Sequence, residues 1–197
     1  MSLQEIPMSN GVGIDQSLTC TGYAYKAAGR LVYNVIKTPA TDPLIVRHRA
    51  TVGQLMVLAK KNDFKWAAME DYAYGTFGKQ PKVAAKLCEL AGQIKYRMNE
   101  EGITVYVINT NYVKQWIGLT NKNNKSAMVR KYNELHNTKF RMKDNDIVDA
   151  LILREIGQIC HHRHDGHPFP TNLSMERRGL VDAILLGADT VLAPQGM

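Results

Sequence analysis

The stretch that decides the fold is GVGIDQSLTCTGYAYKAAGRLVYNVIK, which runs from Gly11 to Lys37. It holds three short runs rich in apolar and β-branched residues, which are typical of strands, at 11–15, 21–27 and 30–37. Ala28-Gly29 separates the last two runs and predicts a hairpin turn. A lone carboxylate, Asp15, ends the first strand, and a strand end is where an α/β protein places reactive groups.

Beyond Lys37, helical and strand patterns alternate. We expect helices at 41–61, 81–100, 109–116, 125–136, 144–159 and 174–192, and strands at 65–69 and 103–108. The segments 72–80, 118–124 and 161–170 are predicted to be loops or breaks. Three consecutive strands followed by alternating helix and strand predict an α/β fold, a mixed five-stranded sheet flanked by helices.

Composition and charge suggest a basic globular protein. The 197 residues are 45% hydrophobic and 22% charged, which suits one domain with short extensions. We place an N-terminal extension at 1–9, the domain at 10–160 and a C-terminal extension at 161–197. The net charge of +7 favours an anionic partner, with nucleic acid first and a membrane surface second. Three dispersed cysteines and a start without a signal-peptide pattern predict a cytoplasmic protein of a bacterium or infected host, with no membrane segment.

Four carboxylates stand out by position. Asp15 and Glu70 end the first and fourth strands, and Asp146 and Asp149 share one face of a helix start. If that helix start meets the strand ends, the four acids converge and require a cation. Mg²⁺ prefers such oxygen ligands, and two ions can activate water and stabilise the leaving oxygen of a phosphodiester. The pattern therefore favours a metal-dependent nuclease.

Each acid also has an ordinary structural explanation. Asp15 could cap a turn, Glu70 could be a solvated strand end, and Asp146 could interact with a helix dipole. Two neighbouring acids, Asp71 and Asp144, could replace a ligand by a shift of one residue. Spacing alone leaves these alternatives open.

Four segments, in order, carry a resemblance to a known family. They are GIDQSLTCTGYAY, MEDYAYG, VKQWIGLTNKNNKSAMV and DNDIVDALILREIG, which begin at residues 13, 69, 113 and 144. Together they resemble the RuvC family of Holliday-junction resolvases, within the RNase H-like superfamily, over about residues 11–159. Gln16 and Ser17 stand where many members have Pro and Gly. In these departures the chain resembles the bacteriophage-type members of the family.

The resemblance implies a homodimer that resolves Holliday junctions by paired symmetric nicks, through attack of metal-activated water. It implies Mg²⁺, for which Mn²⁺ can substitute, and metal ligands and catalytic residues at Asp15, Glu70, Asp146 and Asp149. Lys125 matches a basic residue near the scissile phosphate. Alternative functions are a general nuclease for flaps and other branched DNA, an RNase, and a non-catalytic branched-DNA binding module. An actin-like kinase is disfavoured, because the chain is short and lacks glycine-rich phosphate loops.

The resemblance also suggests how DNA is contacted. The loop after Glu70 carries aromatic residues suited to stacking at the junction centre, with Tyr72 as a further candidate. The predicted DNA-binding residues are Tyr74, Phe77, Lys79, Lys82, Lys114 and Lys122. The helix from Pro81 could form the dimer interface through Val83, Leu87, Leu90 and Ile94, although core packing explains these residues equally well.

The tail contains a histidine-rich run, CHHRHDGH, at 160–167. We interpret it as a surface loop, with DNA contact and zinc binding as alternatives. The helix that follows is apolar enough to pack on the domain or across a dimer.

Overall fold

The computed structural model describes residues 10–71 and 81–187. The strands are β1 (Gly11–Asp15), β2 (Cys20–Ala27), β3 (Arg30–Lys37), β4 (Trp66–Asp71) and β5 (Thr104–Asn109). The helices are α1 (Leu44–Asn62), α2 (Pro81–Glu100), α3 (Thr110–Trp116), α4 (Lys125–His136), α5 (Asn145–His164) and α6 (Met175–Leu185). A short 3-10 turn, Met142–Asp144, precedes α5.

The strands form one sheet in the order β3-β2-β1-β4-β5. The first three strands are antiparallel neighbours, whereas β4 is parallel to both β1 and β5. The prediction of a mixed five-stranded α/β sheet is therefore confirmed. The β2–β3 hairpin turns at Ala28 and Gly29, both of which have positive φ.

The two faces of the sheet bury separate cores, because side chains alternate along each strand. Val12 and Ile14 of β1 belong to the core under α1 and α2. Trp66 and Ala68 of β4 belong to the opposite core, under α5 and the other C-terminal helices. Gly13 of β1 and Ala68 of β4 face α5. Asp15 and Glu70 each lie two residues further along the same strands, so they share that face of the sheet.

Helix α5 is the centre of the second core and is buried along most of its length. Gly157 lets it approach the sheet closely, since a Cβ there would meet the Trp66 ring at 2.6 Å. Glu155 ties α5 to two neighbouring helices by accepting hydrogen bonds from Trp116 Nε1 and Tyr132 Oη, at 3.4 and 3.3 Å. The C-terminal α6 packs on the same core through Leu180 and Val181.

Three boundaries differ from the sequence expectation. Pro43 is the N-cap of α1, so this helix begins at Leu44 and the predicted start at residue 41 is wrong. Helix α5 continues to His164, because His161 is buried and contributes to the core; the predicted break at residue 161 is therefore wrong. Helix α6 ends at Leu185, before the predicted end.

Candidate active site

Two adjacent strand ends bring the first two acids together. The register of β1 and β4 pairs Ile14 with Met69, so the next residues, Asp15 and Glu70, lie side by side. Both strands run in parallel, and their carboxyl ends meet at one edge of the sheet. Asp15 is only 6% exposed, so it is a buried carboxylate and not a solvated turn residue.

Glycines allow the start of α5 to reach these strand ends. A Cβ on Gly13 would lie 2.9 Å from Arg154 Cα, and one on Gly22 would lie 2.5 Å from the carbonyl carbon of Asp146. Gly22 is also the β2 partner of Asp15 in the register. The missing side chains therefore let the α5 backbone lie directly over β1 and β2, with Asp146 and Asp149 facing Asp15.

Lys125 lies among the acids from the start of α4, where the Asn124 side chain caps the helix. Its Nζ lies 3.6 Å from Asp146 Oδ1 and 3.5 Å from Asp149 Oδ2. Burial lowers the pKa of this ammonium, but the surrounding carboxylates, with Asp149 the strongest, raise it above its usual value. Lys125 is therefore a permanent positive charge within the acidic cluster.

The electrostatics show that the acids crowd one another. Burial raises the pKa of Asp15 well above its usual range, and the Asp149 and Glu70 carboxylates raise it further. Burial raises the pKa of Asp149 to about 7, against the opposing effect of Lys125. Burial also raises the pKa of Glu70, although a hydrogen bond from the Thr110 side chain opposes that rise. One ammonium does not neutralise this cluster, and hard oxygen donors of this kind suit Mg²⁺.

Comparison with protein families identifies the family of this chain. The sequence model of the family described as "Crossover junction endodeoxyribonuclease RuvC" matches residues 11–161. The chain belongs to the RuvC family. It is therefore a junction-resolving nuclease, and the predicted family and enzyme class are confirmed. No curated protein sequence matches the chain.

Solved structures share the fold of this RuvC-family chain. Thermus thermophilus RuvC in complex with a Holliday junction substrate has 18% sequence identity and a TM-score of 0.62, covering 83% of this chain and 99% of that one. Another structure of Thermus thermophilus RuvC has 19% identity and a TM-score of 0.60, covering 82% and 99%. The yeast mitochondrial resolvase Ydc2 has 14% identity and a TM-score of 0.48, covering 75% and 77%. The family match and the fold shared with the two Thermus thermophilus structures confirm the predicted RNase H-like fold.

Three residues support the RuvC-family acids and were missed by sequence reasoning. Gln16 Nε2 donates to the Glu70 carbonyl oxygen at 2.6 Å and joins the two strand ends. The Thr110 side chain bonds Glu70 from the start of α3. The Cys20 thiol bonds Asp146, and burial and this bond raise its pKa to about 11. None of these three residues is an acid or a base of ordinary nuclease chemistry. Only their positions next to the motifs could have indicated in the sequence that they support the acids.

The other predicted residues fall into two groups. Lys82 and Lys122 are exposed, and Lys114 donates to the Asn121 carbonyl oxygen at 3.2 Å while lowering the pKa of Glu70. The loop candidates Tyr72, Tyr74, Phe77 and Lys79 lie outside the described residues. Of the spare acids, Asp144 accepts a hydrogen bond from the Arg141 backbone N–H at 2.8 Å and caps the 3-10 turn.

The described helices of this nuclease include none that is long and apolar enough to cross a membrane.

Proposed function

We propose that this RuvC-family nuclease cuts four-way DNA junctions by paired symmetric nicks, with Mg²⁺ held by Asp15, Glu70, Asp146 and Asp149. One observation carries the proposal. Lys125 Nζ lies among the acids, 3.6 Å from Asp146 Oδ1 and 3.5 Å from Asp149 Oδ2. Burial and the neighbouring carboxylates raise the pKa of Asp15 well above its usual range and that of Asp149 to about 7. Such a cluster is stabilised by divalent cations, and its donors are the oxygens that Mg²⁺ prefers.

The roles of the residues follow from their positions. When bound, Mg²⁺ supplies Lewis-acid activation of the attacking water and stabilises the leaving oxygen. Asp15 and Glu70 are held rigidly by the sheet, and Gln16 fixes the distance between their strands. Asp146 and Asp149 come from a buried helix, so the backbone that carries these two ligands is fixed before a cation binds.

Lys125 would stabilise charge on the phosphodiester. Its Nζ is within 3.6 Å of two ligands, and its side chain is 59% exposed, so a phosphate can approach it from solvent. An ammonium placed where negative charge develops favours the transition state over the ground state.

The DNA surface would surround this site. The exposed Lys82 and Lys122, together with Lys114, offer phosphate contacts that carry no sequence information. By the resemblance alone, we assign Tyr74 and Phe77, in the segment that follows β4, to stacking at the junction centre, and Lys79 to phosphate contact. The net charge of +7 supports binding to a polyanion.

A homodimer would supply the second nick, because a two-fold axis presents the same site twice. Leu90 and Ile94 are each 1% exposed and pack in the chain's own core, so they are not part of an interface. The apolar residues left exposed on α1 and α2 are better candidates: Ile45, Val57, Val83 and Tyr96. Sedimentation velocity of Tyr96→Lys against Tyr33→Lys, an exposed aromatic on β3, tests this face, with a monomer expected only for the first.

The decisive experiment compares cleavage of labelled four-way, three-way, flap and linear duplex DNA at matched salt. Wild-type protein is tested with Mg²⁺, Mn²⁺ and Ca²⁺, alongside Asp149→Asn and the matched control Asp144→Asn, which removes a neighbouring acid that caps a turn. We expect paired nicks in the four-way junction that are lost in Asp149→Asn, with binding retained, and kept in Asp144→Asn.

Other outcomes would change the conclusion. Equal cutting of every branched substrate would make this a general branched-DNA nuclease. Tight junction binding without cleavage under Mg²⁺ or Mn²⁺ would leave a binding module. Loss of cleavage in Asp144→Asn together with retention in Asp149→Asn would replace Asp149 by Asp144 as a proposed ligand.

A further inference from the structure

The C-terminal end of α5 carries a group of side chains of the metal-ligating kind, at the carboxyl end of the family match. The match ends at residue 161, whereas α5 continues to His164 and is followed by Asp165. Within residues 10–71 and 81–187, His161, His164 and Asp165 are the one group of His, Cys, Asp or Glu residues whose ligand atoms all lie within 4.8 Å of one another. The continuing helix creates this group, because residues i, i+3 and i+4 share a face.

The distances fit coordination of a single ion. Asp165 Oδ2 lies 3.3 Å from His161 Nε2, and Asp165 Oδ1 lies 3.4 Å from His164 Nδ1. Two ligand atoms on a tetrahedral zinc ion, each at about 2.0–2.1 Å, are separated by roughly 3.4 Å. The two histidine rings are nearly parallel, with an interplanar angle of 11° and centroids 6.3 Å apart. One ligand atom from each ring lies within 4.8 Å of the other and of an Asp165 carboxylate oxygen.

A buried tyrosine orients the first histidine. Tyr106 is fully buried in β5, and its hydroxyl lies 3.1 Å from Nδ1 of His161, which is only 8% exposed. A ligating histidine commonly bonds a second group through its other ring nitrogen, which fixes the ring and its tautomer. The hydroxyl can donate to Nδ1 in the metal-free protein and accept from it when Nε2 binds a cation.

The charge of the group also favours a cation. In the described part of the chain, the ion-pair partners of Asp165 are these two histidines and no lysine or arginine. The neighbouring Arg163 is directed elsewhere, with its guanidinium over the Phe169 ring and a bond to the His167 carbonyl oxygen. The group lies at a helix C-terminus, where the backbone dipole attracts positive charge.

We propose that His161, His164 and Asp165 bind one transition-metal ion of the zinc class, at a site separate from the four acids that would hold Mg²⁺. Two imidazoles and one carboxylate select a borderline ion over Mg²⁺, and the remaining position is open to water. The bound ion fixes the end of α5 to the first residue after it, and so stabilises the connection to α6. This reverses the sequence interpretation of the run as a surface loop.

The test is Zn²⁺ and Co²⁺ titration of the full chain with excess Mg²⁺ present to occupy the acidic site. The test variants are His164→Gln and Asp165→Asn, because both residues are exposed and their replacement spares the core. The matched controls are His162→Gln and His167→Gln, whose rings stack on each other at 4.7 Å outside the trio.

We expect one equivalent of Co²⁺ with a strong tetrahedral absorption band, and Zn²⁺ affinity reduced at least tenfold in both test variants and unchanged in both controls. Mg²⁺-dependent junction cleavage should be the same in all four variants, so failure here is distinguishable from failure of the proposed nuclease site. Equal Zn²⁺ affinity in wild type and His164→Gln would overturn the proposal. A Co²⁺ signal that disappears in Asp149→Asn instead would assign the ion to the acidic site.

Discussion

Replacing Gly22 with alanine should inactivate the enzyme without touching any acid. The added Cβ would lie 2.1 Å from the carbonyl oxygen of Asp146, whereas ordinary contacts begin at 3.4 Å. The Asp146 backbone must therefore move by about 1.3 Å, and a displacement of this size at a catalytic group costs on the order of 100-fold in rate. Overpacking of this kind also destabilises by about 1–3 kcal/mol.

The assay is single-turnover cleavage of a labelled four-way junction at saturating protein, below the melting transition of the variant. We expect a rate lowered about 100-fold with junction affinity within a few-fold of wild type, because the lysines proposed to bind DNA are not moved. Gly53→Ala and Gly92→Ala are matched controls, since a Cβ at either position meets nothing within 4 Å. Both should cleave normally and gain about 0.5–1 kcal/mol from helix propensity.

The reasoning fails if Gly22→Ala remains folded and cleaves at the wild-type rate. That result would mean that α5 can shift over β2 without displacing the acids. The close contact of Gly22 with α5 would then serve packing and not catalysis. An equal loss in Gly53→Ala would also refute it, because the effect would then be unrelated to contact with Asp146.

Three further predictions follow from other contacts. Lys125→Ala should lower the single-turnover rate about 10- to 100-fold with little change in junction affinity, and Lys125→Arg should recover part of the loss. In metal-free protein, the unfolding free energy should fall as pH rises from about 4 to about 7, because folded Asp149 retains a proton that the unfolded chain releases. For one proton, the unfolding free energy changes by at most about 1.4 kcal/mol per pH unit. In melts recorded with EDTA, Asp149→Asn should reduce this dependence on pH. Glu155→Ala should destabilise the fold by about 2–4 kcal/mol in urea titrations, because buried donors on α3 and α4 lose their acceptor.

The contrary results are equally specific. Weaker junction binding with an unchanged rate in Lys125→Ala would make this lysine a docking residue. Stability that rises with pH in metal-free protein would show that Asp149 is ionised in the folded state. An unaltered urea midpoint in Glu155→Ala would mean that water replaces the carboxylate.

The sheet could be predicted because its signals are local. Alternation in β2 and β3, and the Ala28-Gly29 turn between them, depend on neighbouring residues only. The acids could be located for a similar reason, since each follows a strand or opens a helix. Their convergence, by contrast, depends on Gly13 and Gly22 meeting one helix backbone, which no periodicity reveals.

The histidine run shows where local reasoning failed. Its polar letters suggest a loop, yet His161 contributes to the core beside Tyr106, a residue 55 positions earlier in the chain. Tertiary burial extended the helix beyond the end that the sequence pattern indicated. Support of the acids by Cys20 and Thr110 is another long-range effect, because those residues lie on elements that only the fold brings to α5 and β4.

The burial of α5 has a consequence for how the enzyme responds to heat and to mutation. The helix contacts all five strands, and its middle turns contain almost no exposed position. Its backbone amides should therefore exchange with solvent only when the whole domain opens. Two of the proposed Mg²⁺ ligands, Asp146 and Asp149, belong to this slow-exchanging helix. Thermal inactivation should therefore coincide with global unfolding and not precede it. Temperature-sensitive alleles should accordingly concentrate in α5 and its glycine contacts, even where they lie far from the acids.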